Sequence, residues 1–205
     1  MEKEATLSAV DIDKEISRMF DLAKEMFLVS WEGFKKLDEE RLYEAEKIGK
    51  ELHEKEKMLT HSIMAGFESG DNVSDERATG HIPSHLERIG DNIELLSRCS
   101  STIIKEGVCF SDRAIREINT LFDKAIEILE SAGEALKTND KEKLVNIREE
   151  GRKFQEIISG YSLSHYDRLI EGVCMPKSSS SYLAMLDYLS GIEKHIRDIV
   201  ERTED

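Results

Sequence analysis

Acidic side chains recur on one stretch of this chain at a spacing that stacks them. If residues 83–105 are helical, Glu87, Asp91 and Glu94 share a face with Arg98, opposite Leu86, Ile89, Ile93 and Leu96. Two carboxylates one turn apart repel by about 0.2–0.5 kcal/mol, a cost that a cation beside them removes. Oxygen-preferring ions such as Mg, Mn or Fe suit them, and carboxylates projecting from facing helices are how metal sites are built in bundles. The same spacing also describes a solvated face on which Arg98 neutralises Glu94. The spacing alone therefore leaves both readings open.

No other residues form a pattern of comparable promise. His81 and His85 stand at i, i+4, but Pro83 between them marks a helix start, so both are expected in a loop or on the surface. His53 and His61 are expected to be unpartnered, and His165 and His195 have no Cys or second His at ligand spacing. No Gly-x-Ser-x-Gly, P-loop or dinucleotide-binding glycine pattern occurs. The run Ser178–Ser181 lacks the glycines of a phosphate cradle. With no nucleophile–base arrangement, the chain is expected to be non-enzymatic.

The elements that must position these residues repeat. Shifted by 102, Phe20, Asp21, Ala23, Asp38, Leu42 and Gly49 fall on Phe122, Asp123, Ala125, Asp140, Leu144 and Gly151; one residue more lays Leu86, Ile89 and Ile93 over Leu189, Ile192 and Ile196. A period this long indicates two copies of one supersecondary unit. Apolar residues at helical spacing place a first helix from Ile12 to about Leu37, and a second behind an Asp38 N-cap. A polar loop from Glu68 to Gly80 follows, then a third helix from Pro83 to about Lys105. Gly107 and Ser111 divide the halves. A fourth helix runs from Ser111 to Leu136, and a fifth starts at Asn139–Asp140, with Gly151 and Gly160 leaving its continuation to Ile170 open. The run Met175–Ser181 is expected to be a loop and N-cap before the last helix.

The expected fold is all-α: two tandem three-helix bundles packed side by side as one six-helix domain spanning 1–205, with repeat one about 8–106 and repeat two about 110–203. Matched Gly49 and Gly151 inside helices suggest close helix approach at each. Trp31, flanked by Phe27 and Phe34, is expected in the core, with a partner or dimer contact as the lesser alternative. Its counterpart is Gly133, so the halves are not packed identically.

Composition restricts the partners. The 205 residues are 35% charged with two prolines, and the net charge is −14. Such a balance excludes a nucleic-acid backbone as partner and disfavours an anionic membrane surface. No stretch reaches the ~18 apolar residues of a membrane span, and the Met-Glu-Lys-Glu start carries no signal-peptide core. Cys99, Cys109 and Cys174 form no CxxC pair and are expected to be reduced, partly buried thiols of a cytoplasmic protein.

The string Leu86-Glu87-Arg88-Ile89-Gly90-Asp91 at the start of the third helix resembles the PhoU family of phosphate-transport regulators. So do Gly107–Ser111 leading into Ala114–Leu136, and the Asn139–Asp140 restart. The resemblance runs from about Ile12 to Thr203. It implies a regulator or accessory protein of phosphate uptake and phosphate signalling, cytoplasmic and peripheral at the inner face of the membrane. Its implied partners are a membrane phosphate transporter, including the sodium–phosphate cotransporters that carry related domains, or a sensor histidine kinase; a homodimer is also compatible. It further implies divalent or iron-type metal held by repeated acidic-xxx-Asp motifs, and here Glu87, Asp91 and Glu51 are the residues that match. The remaining motif positions depart: Ser190 and Lys194 stand where Glu87 and Asp91 recur, and Lys55, Lys153 and Ile157 occupy the others. Lys194 would repel a metal, and Asp187, Asp198 and Glu201 are its candidate ion-pair partners. A carboxylate-bundle protein that stores or senses a divalent ion, or a diverged helical scaffold, are the alternatives.

Overall fold

The computed structural model describes residues 9–69 and 79–204. Its described residues form six long helices and no strand: α1 (Ala9–Lys36), α2 (Glu39–Ser69), α3 (Ile82–Glu106), α4 (Asp112–Thr138), α5 (Lys141–Ile170) and α6 (Pro176–Glu204). Most of the expected loop after α2 lies outside the described residues.

The punctuation follows from local chemistry. Asp38 Oδ1 accepts from the N–H groups of Glu40 (2.9 Å) and Arg41 (3.2 Å) and so starts α2. Ser111 Oγ accepts from Ala114 N–H, and Asp140 Oδ1 from Lys143 N–H, to start α4 and α5. Pro83 sits in the first turn of α3, which ends on Gly107 in the left-handed conformation at φ 61°. The α1–α2 and α4–α5 turns are equivalent: Leu37 (φ 54°) and Asn139 (φ 51°) precede their capping aspartates at positions 102 apart. Asn tolerates that conformation; Leu is strained by it.

One open point is answered and one expectation is corrected. Helix α5 runs unbroken through Gly151 and Gly160 to Ile170, because its buried stripe of Leu144, Ile147, Phe154 and Ile158 is packed throughout. The serine run is helical rather than a loop. Pro176 opens α6, and Ser178 and Ser179, both buried, donate to the Met175 carbonyl.

Within each half the three helices touch one another pairwise, and the halves meet through α1 against α4 and α3 against α6. One continuous core draws on all six helices. The α1–α4 seam is reciprocal under the repeat. Phe122 stacks on Trp31 with ring centroids 4.1 Å apart, while its counterpart Phe20 lies against Gly133, the counterpart of Trp31, 3.3 Å from where a Cβ would stand. The repeat therefore builds the same contact twice, filled once by indole and once by a close backbone approach. Trp31 is 4% exposed, so it is spent on this seam and not on an outside partner. None of the described helices is long and apolar enough to cross a membrane, and no disulfide joins the cysteines, of which Cys109 is exposed rather than partly buried.

Candidate functional site

The acidic face of α3 opens onto a groove of about 240 Å³ between α2 and α3, lined by Gly49, Lys50, Leu52, His53, Glu54, Glu87, Gly90, Asp91 and Glu94. Its walls are close because α3 carries Gly90 where it meets α2, while Gly49 of α2 makes room for Met26 of α1. A Cβ on Gly90 would stand 2.7 Å from Leu52 Cδ2, and one on Gly49 would stand 2.7 Å from Met26 Cε. The groove brings Glu87 and Asp91 together as the spacing required.

Glu51 does not line it. That residue is exposed, and α2 turns Lys50, His53 and Glu54 toward the groove instead. His53 is partnered, against expectation: its Nδ1 lies 3.1 Å from Glu87 Oε1. Arg98 donates to Glu94, and Lys55 is held by Glu15 at 2.9 Å.

In the second half the equivalent space is filled. The counterpart of Gly90 is Glu193, which is fully buried with its carboxylate against Gly151, accepting from Gln155 Nε2 and from Arg197 Nε (3.0 Å). Burial raises the Glu193 carboxyl pKa although Gln155 and Arg197 oppose the shift. The chemistry that repeat one exposes, repeat two has turned into core.

A larger buried network holds repeat two together. Glu117 on α4 accepts from Arg168 through both oxygens (3.1 and 2.9 Å), from the Tyr182 hydroxyl (2.5 Å) and from Arg113 Nε (2.9 Å). Burial works to raise the Glu117 pKa, but the hydrogen bonds from Arg168, Tyr182 and Arg113 win and hold it low. Burial and Glu117 push the Tyr182 phenol up. Sequence spacing missed this network, although Glu117 standing on the stripe of Ala114, Ile118, Leu121 and Ala125 was the available signal.

Histidines expected to be separate also meet. His85 on α3 and His195 on α6 approach to 3.2 Å between Nδ1 atoms, and Asp198 lies 3.9 Å from each. Asp198 thus faces two histidines rather than Lys194.

Residues 16–99 match the model of the PhoU domain. The whole fold is similar to the crystal structure of PhoU from Pseudomonas aeruginosa, with a TM-score of 0.87 at 16% identity over 95% of this chain and 94% of that one. It is also similar to the phosphate transport system regulatory protein PhoU from Streptococcus pneumoniae, with a TM-score of 0.83 at 15% identity over 95% and 92%. No curated protein matches in sequence. The chain carries a PhoU domain in its first half and the fold of the PhoU structures along its length.

The acidic groups of the groove are partly engaged by neighbouring side chains. Glu87 is engaged by His53, Glu94 by Arg98, and Lys50 lines the groove. Among the described residues, three donor atoms converge within 4.8 Å at His85, His195 and Asp198, and not in the groove. This donor set does not fit a cluster of several metal ions.

Proposed function

We propose that this protein regulates phosphate transport by contact with the membrane transporter or its sensor histidine kinase, and not by catalysis. The observation that carries the reading is the PhoU fold along 95% of the chain, together with the PhoU domain match in repeat one. The Streptococcus pneumoniae relative is named as a regulatory protein of the phosphate transport system. The buried ionisable groups of repeat two support a structural role, since Glu117 is saturated by its donors and offers nothing to a substrate.

The contact surface we assign is the tip of repeat two. Leu163, Tyr166 and Ile170 share one stripe at i, i+3, i+7 near the end of α5, with Val173 and Met175 following; these five are 50–85% exposed. Exposed apolar residues grouped this way mark interaction sites. Phosphate uptake in cells lacking the protein tests the reading. Uptake should rise and be restored by the wild-type chain but not by Leu163→Glu, Ile170→Glu, whose melting temperature should equal wild type. Unchanged uptake in cells lacking the chain overturns the regulatory reading; restoration by the double variant overturns only the surface.

A second reading keeps a single hard divalent ion in the α2–α3 groove, with Glu87 and Asp91 as its carboxylates. Its support is the groove's four acidic side chains. Elemental analysis of wild type beside Glu87→Ala, Asp91→Ala tests it: metal lost in the variant supports the site, and equal content in both removes it.

A further inference from the structure

We propose that His85, His195 and Asp198 form a binding site for a borderline divalent ion, zinc or its congeners, that clamps repeat one to repeat two. The site is distinct from the carboxylate groove, and its ligands come from both halves: His85 from α3, His195 and Asp198 from successive turns of α6.

The geometry fits an ion. The Nδ1 atoms of His85 and His195 are 3.2 Å apart, and Asp198 Oδ2 is 3.9 Å from each. A triangle with those edges has its circumcentre about 2.1 Å from every corner, the zinc–ligand bond length for an ion in its plane, and Asp198 closing toward the histidines would let the ion rise to a fourth ligand. The nitrogen separation is also close to the ~3.3 Å edge of a tetrahedron with such bonds. Two imidazoles and one carboxylate suit zinc, cobalt or nickel better than magnesium or calcium, which demand oxygen.

The surroundings agree with that donor chemistry. The side chains of His85, His195 and Asp198 are 12%, 22% and 27% exposed, enough cover to fix them and enough opening for water as a fourth ligand. Burial lowers the pKa of both histidines, His85 to about 4, so that both rings keep a lone pair at neutral pH. Asp198 and Asp91 favour positive charge here, while Arg202, Arg88, Lys194 and His81 oppose it. His81 is not among the three groups that converge here; its Nε2 donates to the Ile199 carbonyl at 3.2 Å. Without an ion, the same 3.2 Å contact serves as a hydrogen bond between neutral imidazoles.

The test is titration of chelator-treated full-length protein with Co²⁺ alone at neutral pH. Visible absorption typical of four-coordinate cobalt should saturate at one ion per chain and be displaced by Zn²⁺. It should be lost in His85→Ala and in His195→Ala, and persist in Glu87→Ala, Asp91→Ala. Zinc should raise the melting temperature of wild type but not of the histidine variants, since an ion bound only in the folded state stabilises it. Absence of the band in wild type, or a band that survives both histidine substitutions, overturns the proposal. A band lost only with Glu87 and Asp91 also overturns it and assigns the ion to the groove. Should an alanine variant fail to fold, the imidazole nitrogen resonances of wild type decide. Zinc must then shift those of His85 and His195 together, and zinc leaving both unmoved overturns the site.

Discussion

Glu117 is the residue on which most of repeat two's polar core depends. Its side chain and that of Arg168 are 6% and 9% exposed, so removing one charge strands the other away from water. Glu117→Gln should cost about 3–5 kcal/mol, while Glu117→Gln, Arg168→Met should cost less than the single change, because no buried charge is then left over. Urea unfolding of wild type and the two variants measures this, and a double variant no more stable than Glu117→Gln would sink the argument. The sign of the pH dependence follows from the lowered pKa. Folding holds Glu117 ionised, so its stabilisation is complete above the ordinary carboxylate value of 4.5 and is lost as pH falls through its lower folded value. Glu193 has the opposite sign. Its raised pKa gives stability that is present below 4.5 and lost as pH rises through the folded value. Glu117→Gln should therefore flatten the acid limb of stability, and Glu193→Gln should not. Neither residue was legible as special in the sequence, because a Glu on an amphipathic stripe looks like a misplaced surface charge until its partners from other helices are seen.

At the scale of helices, the sequence carried more. Caps at Asp38, Ser111 and Asp140 and the stop at Gly107 were readable because they act on their own neighbours. The unbroken α5 was not, since Gly151 and Gly160 look alike in sequence and differ only in what surrounds them. A Cβ at Gly151 would collide with the buried Glu193 carboxylate, whereas one at Gly160 meets nothing within 4 Å. The same substitution should therefore have opposite effects on one helix. Gly160→Ala should stabilise by about 0.5–1 kcal/mol through helix propensity and the unfolded chain. Gly151→Ala should destabilise by about 1–3 kcal/mol, as overpacking does. Denaturant midpoints decide, and equal shifts would mean that the α5–α6 approach is looser than placed. The groove was half legible for a related reason. Spacing along α3 determined Glu87 and Asp91, but the rotation of α2 that presents Lys50, His53 and Glu54 instead of Glu51 depends on how two helices pack.

For the whole molecule, the repeat predicted two like units, and the seam between them determines whether they behave as one. Phe27, Trp31 and Phe34 of α1 lie against Phe122 of α4, with the Phe27–Phe122 centroids 5.2 Å apart and Phe34–Phe122 6.3 Å. A first repeat unfolding alone would expose this cluster to water, and with it the α3 face packed on α6. Buried aromatic surface of that extent couples the halves more strongly than either can resist. The chain should therefore unfold in a single transition. Its one tryptophan, Trp31, reports the seam by fluorescence, while far-UV circular dichroism reports helices of both halves, so the two curves should coincide. Phe122→Ala should cost about 3–5 kcal/mol and shift both curves together, although the residue belongs to repeat two and the probe to repeat one. If the fluorescence transition moves away from the circular dichroism transition in that variant, the halves are separable units. The α3–α6 contact would then have to carry their coupling alone.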